Sequence, residues 1–141
     1  MSSEQKAKRP FIFVVDDERL IADTLALILN RNGFEAIPLY SGEKLIEAVE
    51  VLKPDVLITD VVMGGMSGVE AAIRIREAIP ECHILLFSGQ AATADLLAHA
   101  RANGHSFEIL HKPVHPEAIL HRLQKLLDRD VFSEARLPVV P

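Results

Sequence analysis

Cysteine occurs once in this chain of 141 residues, at Cys82. No intrachain disulfide is therefore available, and the apolar stretch around Cys82 predicts a buried, inert thiol. No apolar segment approaches the roughly 20 residues that a membrane-spanning helix needs. Met1 to Pro10 is polar and holds no signal-peptide core. Basic residues are outnumbered, 15 Lys and Arg against 20 Asp and Glu, for a net charge of −5. That balance argues against a nucleic-acid footprint. The one basic run, Lys6, Lys8 and Arg9, reads as part of a solvated leader. The six histidines supply no zinc pattern: His111, His115 and His121 come close in sequence without a cysteine or a second tight pair. Internal repeats are absent as well. These absences leave one cytoplasmic globular domain, with no membrane and no direct nucleic-acid partner. The 49% hydrophobic and 25% charged residues are enough for one core.

What is present is an alternation. Phe11–Val15 is an apolar run rich in aromatic and β-branched types, which predicts a buried strand. Leu20, Ile21, Thr24, Leu25, Ile28 and Leu29 then repeat at helical spacing, and Asn32-Gly33 supplies a stop. Phe34–Leu39 reads as a second strand, at an edge because Pro38 cannot donate to a ladder. Ser41 is a candidate N-cap for a helix carrying Leu45, Ile46, Val49 and Leu52. Lys53-Pro54 breaks that helix, and Asp55–Asp60 is the third strand. After the loop Met63-Gly64-Gly65-Met66, Ser67 caps a helix that reaches Ala78 or Ile79. Cys82–Ser88 is the fourth strand and Ala91–Ala102 the fourth helix, closed by Asn103-Gly104. Phe107–His111 is the fifth strand. Pro116 suits the first turn of a last helix bearing Ile119, Leu120, Leu123, Leu126 and Leu127. The period fades after Arg129. The expected organisation is a flexible tail over 1–10, one domain over 11–129 and a loose C-terminal tail over 130–141.

Helix-length connections between successive strands favour a parallel sheet covered on both faces. Ligands of such sheets sit beyond the carboxyl ends of the strands. Four of the apolar runs stop there on polar residues. Phe11 to Val15 stops at Asp16 and Asp17, Val56 to Thr59 at Asp60, Ile84 to Phe87 at Ser88, and Ile109 to His111 at Lys112, followed by Pro113. Three carboxylates, a hydroxyl and an ammonium would share one cleft. That set can bind a divalent cation, attack phosphorus and hold the resulting phosphoryl group. Each residue also has a plainer role open to it. An acidic pair before a helix favours its dipole, Asp60 can be a loop residue, Ser88 a turn hydroxyl and Lys112 a surface charge.

Taken in order, these residues resemble the receiver domain of two-component response regulators over about residues 10–129. The segment Asp60-Val-Val-Met63-Gly-Gly-Met66-Ser-Gly68 is similar to the family pattern D-x-x-M-P-x-M-x-G. Ser88-Gly89 matches its Ser/Thr followed by a small residue, and Lys112-Pro113 its K-P. The resemblance implies a flavodoxin-like, doubly wound α/β fold: a five-stranded parallel sheet of order 2-1-3-4-5 flanked by five helices. It implies that Asp60 takes a phosphoryl group from a sensor histidine kinase or a phosphotransfer protein. Mg²⁺ would be held by Asp17 directly, by Asp16 largely through water, and by Asp60 and the Val62 carbonyl. Ser88 would hydrogen-bond the phosphoryl group, Lys112 would pair with Asp60 or with that group, and the Lys112-Pro113 peptide would be cis. Catalysis would be confined to the domain's own phosphorylation and dephosphorylation. The signal would pass to a downstream protein target through the fourth helix, fifth strand and fifth helix, a face on which a homodimer also stays open.

The chain departs from the pattern in three places. Gly64 replaces the usual proline, which predicts a more mobile loop. Ile109 stands three before Lys112, where many receivers carry an aromatic switch residue, and Phe107 is on the same strand face without matching that position. Val62 and Gln90 occupy the positions that flank the phosphoryl group and govern its lifetime. Two other functions share this inventory. A small phosphohydrolase of the haloacid-dehalogenase type would place its nucleophile after the first strand in a D-x-D pattern, where this chain reads Asp16-Asp17-Glu18. A purely structural pseudo-receiver would not need Asp17, Asp60 and Lys112 intact.

Overall fold

The computed structural model describes residues 9–89 and 93–139, with side chains left out at Thr93 and over 129–139. The elements follow one another as β1 (Phe11–Val15), α1 (Arg19–Asn30), β2 (Glu35–Leu39), α2 (Gly42–Val49), β3 (Val56–Asp60), α3 (Gly68–Ala78), β4 (His83–Ser88), α4 (Thr93–Ala102), β5 (Glu108–His111) and α5 (Pro116–Val139). All strand pairs are parallel, and the sheet order is β2-β1-β3-β4-β5. β2 lies at an edge and pairs only with β1, which spares Pro38 a second partner. The register sets Val15 beside Thr59, Asp60 beside Phe87 and Ser88 beside His111. The strands therefore finish level with one another, and the residues that follow them share one edge.

Strand alternation builds two cores. Phe13, Val15, Leu57, Ile84 and Leu86 pack with residues of α2 and α3, among them Leu45, Val49, Ala72 and Ile75. Ile12, Val14, Val56, Ile58, Leu85 and Phe87 pack on the opposite face with Leu25, Leu29, Ile119 and Leu123 of α1 and α5. The central strands are buried on both faces, which explains why they read as unbroken apolar runs. Cys82 lies in the first core, and its thiol donates to the His83 carbonyl at 3.4 Å. Burial pushes its pKa up to about 12, so it stays protonated and unreactive.

Helix ends follow the sequence signals. The Ser41 hydroxyl accepts from the Lys44 N–H at 3.0 Å, and the Ser67 hydroxyl from the Glu70 N–H at 3.1 Å. Gly33, after α1, and Gly104, after α4, have φ of +95° and +88°, the left-handed region where glycine escapes the Cβ penalty.

Three sequence expectations shift. Leu20 and Ile21 belong to the α1 period but face outward, with Leu20 79% exposed, while Ala22 and Ala26 take the buried places beside Leu25 and Leu29. Leu52 falls beyond α2 and is exposed. α5 continues to Val139, past the point where the apolar period ends; Glu134, Ala135 and Arg136 are strong helix formers and need no apolar stripe to extend it. Residues 1–8, which hold Lys6 and Lys8 of the basic run, lie outside the described residues, as do 90–92 with Gln90 and 140–141. Arg9 is within them, and its guanidinium donates to the Asn30 carbonyl at 2.8 Å.

Gly68 is the tightest glycine of the fold. Its N–H donates to the Val61 carbonyl at 2.8 Å, and a Cβ built there would lie 1.9 Å from the Asp60 carbonyl oxygen. Backbone meets backbone at this point, so no side chain can yield. Gly68→Ala should cost roughly 1–3 kcal/mol as an overpacking substitution. A thermal melt reads this directly, and an unchanged Tm would contradict the close approach.

Candidate functional site

Each strand end delivers one part of the site. Asp16 follows β1 and is 1% exposed; Asp60 closes β3 and is 8% exposed; Ser88 closes β4 and is buried. Asp17 is exposed, one residue beyond Asp16, and Lys112 is half-buried after β5. The Lys112-Pro113 peptide is cis. Asp16, Asp17 and Asp60 each offer a carboxylate oxygen, all within 4.8 Å of one another. The Lys112 ammonium lies 3.0 Å from Asp60 Oδ1 and 3.8 Å from Asp16 Oδ2. Gly89 makes room for it, because a Cβ there would meet the Lys112 side chain at 3.2 Å.

The described residues of the expected site converge, with one distinction; Gln90 lies outside the described residues. Asp17, Asp60, Val62, Ser88 and Lys112 line a common cavity of about 850 Å³, while Asp16 lies beneath it as a buried base. Asp16 Oδ1 accepts from the Glu18 N–H at 2.9 Å. Its Oδ2 is buried with no hydrogen-bond partner. A buried carboxylate oxygen that meets a cation only at the 3.8 Å of Lys112 and accepts no hydrogen bond has room for a further partner, and it belongs to a set of hard oxygen donors suited to a small divalent cation.

The charges are out of balance. Burial raises the Asp16 pKa; the nearby Asp60 and Asp17 carboxylates add to this, while the Glu18 N–H and Lys112 oppose it. Burial likewise raises the Asp60 pKa, against the hydrogen bond and charge of Lys112 and the Val61 N–H, with Asp17 adding to the rise. For Lys112, burial alone would lower the pKa, but the Asp60 hydrogen bond and the charges of Asp60 and Asp16 raise it overall. All three groups thus hold protons more firmly than usual, as expected where several carboxylates share one ammonium.

Sequence reading missed two parts of the site. The cavity extends along α1 and past β5, where Leu20, Ile21, Pro113 and Val114 form an apolar arm; the outward turn of Leu20 is the only clue, and helical period conceals it. The loop after Asp60 is also anchored. The Gly64 N–H donates to Asp17 Oδ2 at 3.1 Å, and the Met66 N–H to Glu43 Oε2 at 3.0 Å. The loop expected to be mobile is therefore pinned at two amides. Glu43 reads in sequence as a first-turn acid of α2 and nothing more.

The raised carboxylate values set a sign. A carboxyl whose pKa is higher folded than unfolded stabilises below the ordinary carboxylate value, and this contribution is lost as pH rises through the raised value. At neutral pH the metal-free protein carries the resulting penalty. Asp16→Asn keeps an acceptor for Glu18 and removes the charge. It should raise the metal-free Tm at pH 7 by a few degrees. The gain should shrink as pH falls through the raised Asp16 value, where native Asp16 takes up its proton, and should vanish below the ordinary carboxylate value. An unchanged or lower Tm at pH 7 would contradict this balance.

Comparison with known proteins places this geometry. The family model described as the response regulator receiver domain matches residues 12–124. The transcriptional regulatory protein YvrH of Bacillus subtilis (strain 168) is 33% identical over 124 residues, which are 87% of this chain and 51% of YvrH. The chain spans about half the length of the curated relatives it matches. Among solved structures, a CheY-like receiver domain protein from Methanospirillum hungatei superposes with a TM-score of 0.80 at 21% identity, covering 89% of this chain and 99% of that one. The BeF3-activated DrrB receiver domain superposes with a TM-score of 0.73 at 25% identity, covering 86% and 99%. With the strand order, the level strand ends and the converged acidic site already established, the chain belongs to the response regulator receiver domain family of two-component systems.

Proposed function

We propose that Asp60 accepts a phosphoryl group from the phosphohistidine of a sensor histidine kinase or of a phosphotransfer protein. The observation that carries this reading is the ammonium of Lys112 at 3.0 Å from Asp60 Oδ1, beside two further carboxylates within 4.8 Å. A structural ion pair would need one carboxylate, and gathering three against one ammonium, two of them buried, is costly unless a cation joins them. Magnesium, when held by Asp16, Asp17, Asp60 and the Val62 carbonyl, would neutralise charge on the transferring group.

The residues divide the rest of the work. An Asp60 carboxylate oxygen attacks phosphorus in line, the O–P bond forms as the N–P bond breaks, and the imidazole nitrogen leaves with the electron pair and takes a proton. The product is an acyl phosphate on Asp60. Lys112 moves from pairing a carboxylate oxygen to pairing a phosphoryl oxygen, and Ser88 donates its hydroxyl to another. The fixed strand ends supply orientation. The apolar arm of Leu20, Ile21, Pro113 and Val114 gives the phosphodonor a surface next to the nucleophile. Catalysis is limited to the domain's own phosphorylation and dephosphorylation.

The signal would be a population shift toward a state in which Ser88 is drawn to the phosphoryl group and α4, β5 and α5 rearrange for a protein target. A receiver at 25% identity is described as BeF3-activated, which supports a conformational response to phosphoryl-like groups. The loop from Gly89 to Thr93, through which Ser88 would act, includes the undescribed residues 90–92. Ile109 is half-buried against the first core. Phe107 packs against the same core and is held further, with the Arg76 guanidinium 4.5 Å from its ring centroid and the His105 ring stacked at 6.3 Å. Ile109 is therefore the better-placed residue on β5 to respond. The same face is the candidate surface for a homodimer. We assign the receiver unit to 11–129, with 1–10 and 130–141 as flanking segments, and place it in the cytoplasm with its donor. Among the described residues, no helix is long and apolar enough to cross a membrane.

Asp60→Asn should abolish Mg²⁺-dependent phosphorylation by acetyl phosphate or by a cognate kinase, read by mass spectrometry of the intact protein. Stoichiometric phosphate on that variant would remove Asp60 from the role.

A further inference from the structure

The loop between Asp60 and α3 touches the acidic cluster at one point besides Asp60 itself. The Gly64 N–H donates to Asp17 Oδ2 at 3.1 Å, across 47 residues of chain. Two residues later the Met66 N–H donates to Glu43 Oε2 at 3.0 Å. Gly65 between them has φ +77°, the left-handed region that favours glycine, and a Cβ there would approach Glu43 Oε2 at 2.8 Å, so a larger residue would strain the backbone and displace the α2 carboxylate. The segment is thus held from two sides, by the carboxylate that follows β1 and by the first turn of α2. Asp17 is exposed and sits on a loop, and a free side chain there would sample several rotamers. The Gly64 amide selects one. Proline in this position would have no N–H to give, so the contact depends on the residue this chain carries.

We propose that the backbone N–H of Gly64 is a positioning donor for the Asp17 carboxylate as a cation ligand, with Glu43 fixing the loop that presents it. The proposal rests on the cation reading of Asp16, Asp17 and Asp60. A carboxylate that binds a metal is commonly oriented by an outer hydrogen bond, and loss of such a partner typically weakens metal binding about 10–100-fold. A carboxylate has lone pairs enough to accept an N–H and still face a cation. Gly64 has negative or extended φ, unlike Gly65, and a Cβ on it would meet only Asp17 Oδ2 at 4.0 Å. Alanine is therefore accommodated there with its N–H intact, whereas proline removes the donor.

The test is calorimetric titration with Mg²⁺ alone on the native protein, Gly64→Ala and Gly64→Pro. The native protein and Gly64→Ala should bind alike, and Gly64→Pro should bind about tenfold more weakly or worse, with all three melting cooperatively without metal. Gly64→Pro binding as tightly as native or tighter, or Gly64→Ala weakening as much as Gly64→Pro, would overturn the role of the amide. If the native protein itself takes no Mg²⁺, the cation reading falls and this inference with it; native binding with an unaffected Gly64→Pro removes only the Gly64 role. Should Gly64→Pro fail to fold, amide hydrogen exchange in the native protein decides. The Gly64 N–H should remain protected when Mg²⁺ is added, and loss of its protection would show the cation displacing the bond.

Discussion

Three carboxylates held at one sheet edge with a single ammonium between them are the constraint around which this domain is organised. In water they would separate. Here β1, β3 and β5 fix where Asp16, Asp17, Asp60 and Lys112 emerge, and the cores on both faces of the sheet hold those strands level. The fold thus stores an electrostatic imbalance, visible in the raised pKa values of Asp16 and Asp60 and in the Oδ2 of Asp16, which accepts no hydrogen bond. That imbalance is a liability for the folded chain alone. Under the proposed function it would become useful, when a divalent cation and a phosphoryl group complete the set.

The packing that supports the site is specific at a few points. Gly68 lets α3 begin against the Asp60 carbonyl, so the backbone of Asp60 is clamped. Gly89 leaves space for the Lys112 stem. Asp17 and Glu43 hold the Gly64-Gly65-Met66 loop by its amides. These contacts gather around Asp60 and the loop after it, where the in-line attack proposed for Asp60 would need fixed geometry. Toward α4 and β5 the anchors are side-chain pairs: the Arg76 guanidinium over Phe107 with its hydrogen bond of 2.6 Å to the Ser106 carbonyl, the approach of His105 to Glu77 at 3.8 Å, and the Arg122–Glu108 ion pair.

The parallel alternation of strands and helices, the edge position of β2 and the convergence of Asp17, Asp60, Ser88 and Lys112 could be read from sequence because they follow from local rules, whereas the sheet order came from the family resemblance. Apolar runs of strand length, helix-length crossovers and polar residues just after the runs leave few arrangements. The caps at Ser41 and Ser67 were legible for the same reason. Other features depend on tertiary context. Whether Leu20 or Ala22 turns inward is decided by how α1 sits on the sheet, and the α1 period accommodates both. The depth of Asp16 against the exposure of Asp17 follows from the β1 register and not from the residue types. Glu43 contacts Met66 across 23 residues, a pairing with no local signature. The continuation of α5 to Val139 reflects helix propensity where apolar periodicity has ended.

A crystal structure of the protein with Mg²⁺ and beryllofluoride tests the convergence most directly. The account predicts one magnesium contacting Asp17, Asp60 and the Val62 carbonyl, with beryllium on an Asp60 carboxylate oxygen and its fluorides facing Ser88 and Lys112. Beryllium on a different carboxylate, or a magnesium seated away from Asp60, would contradict it.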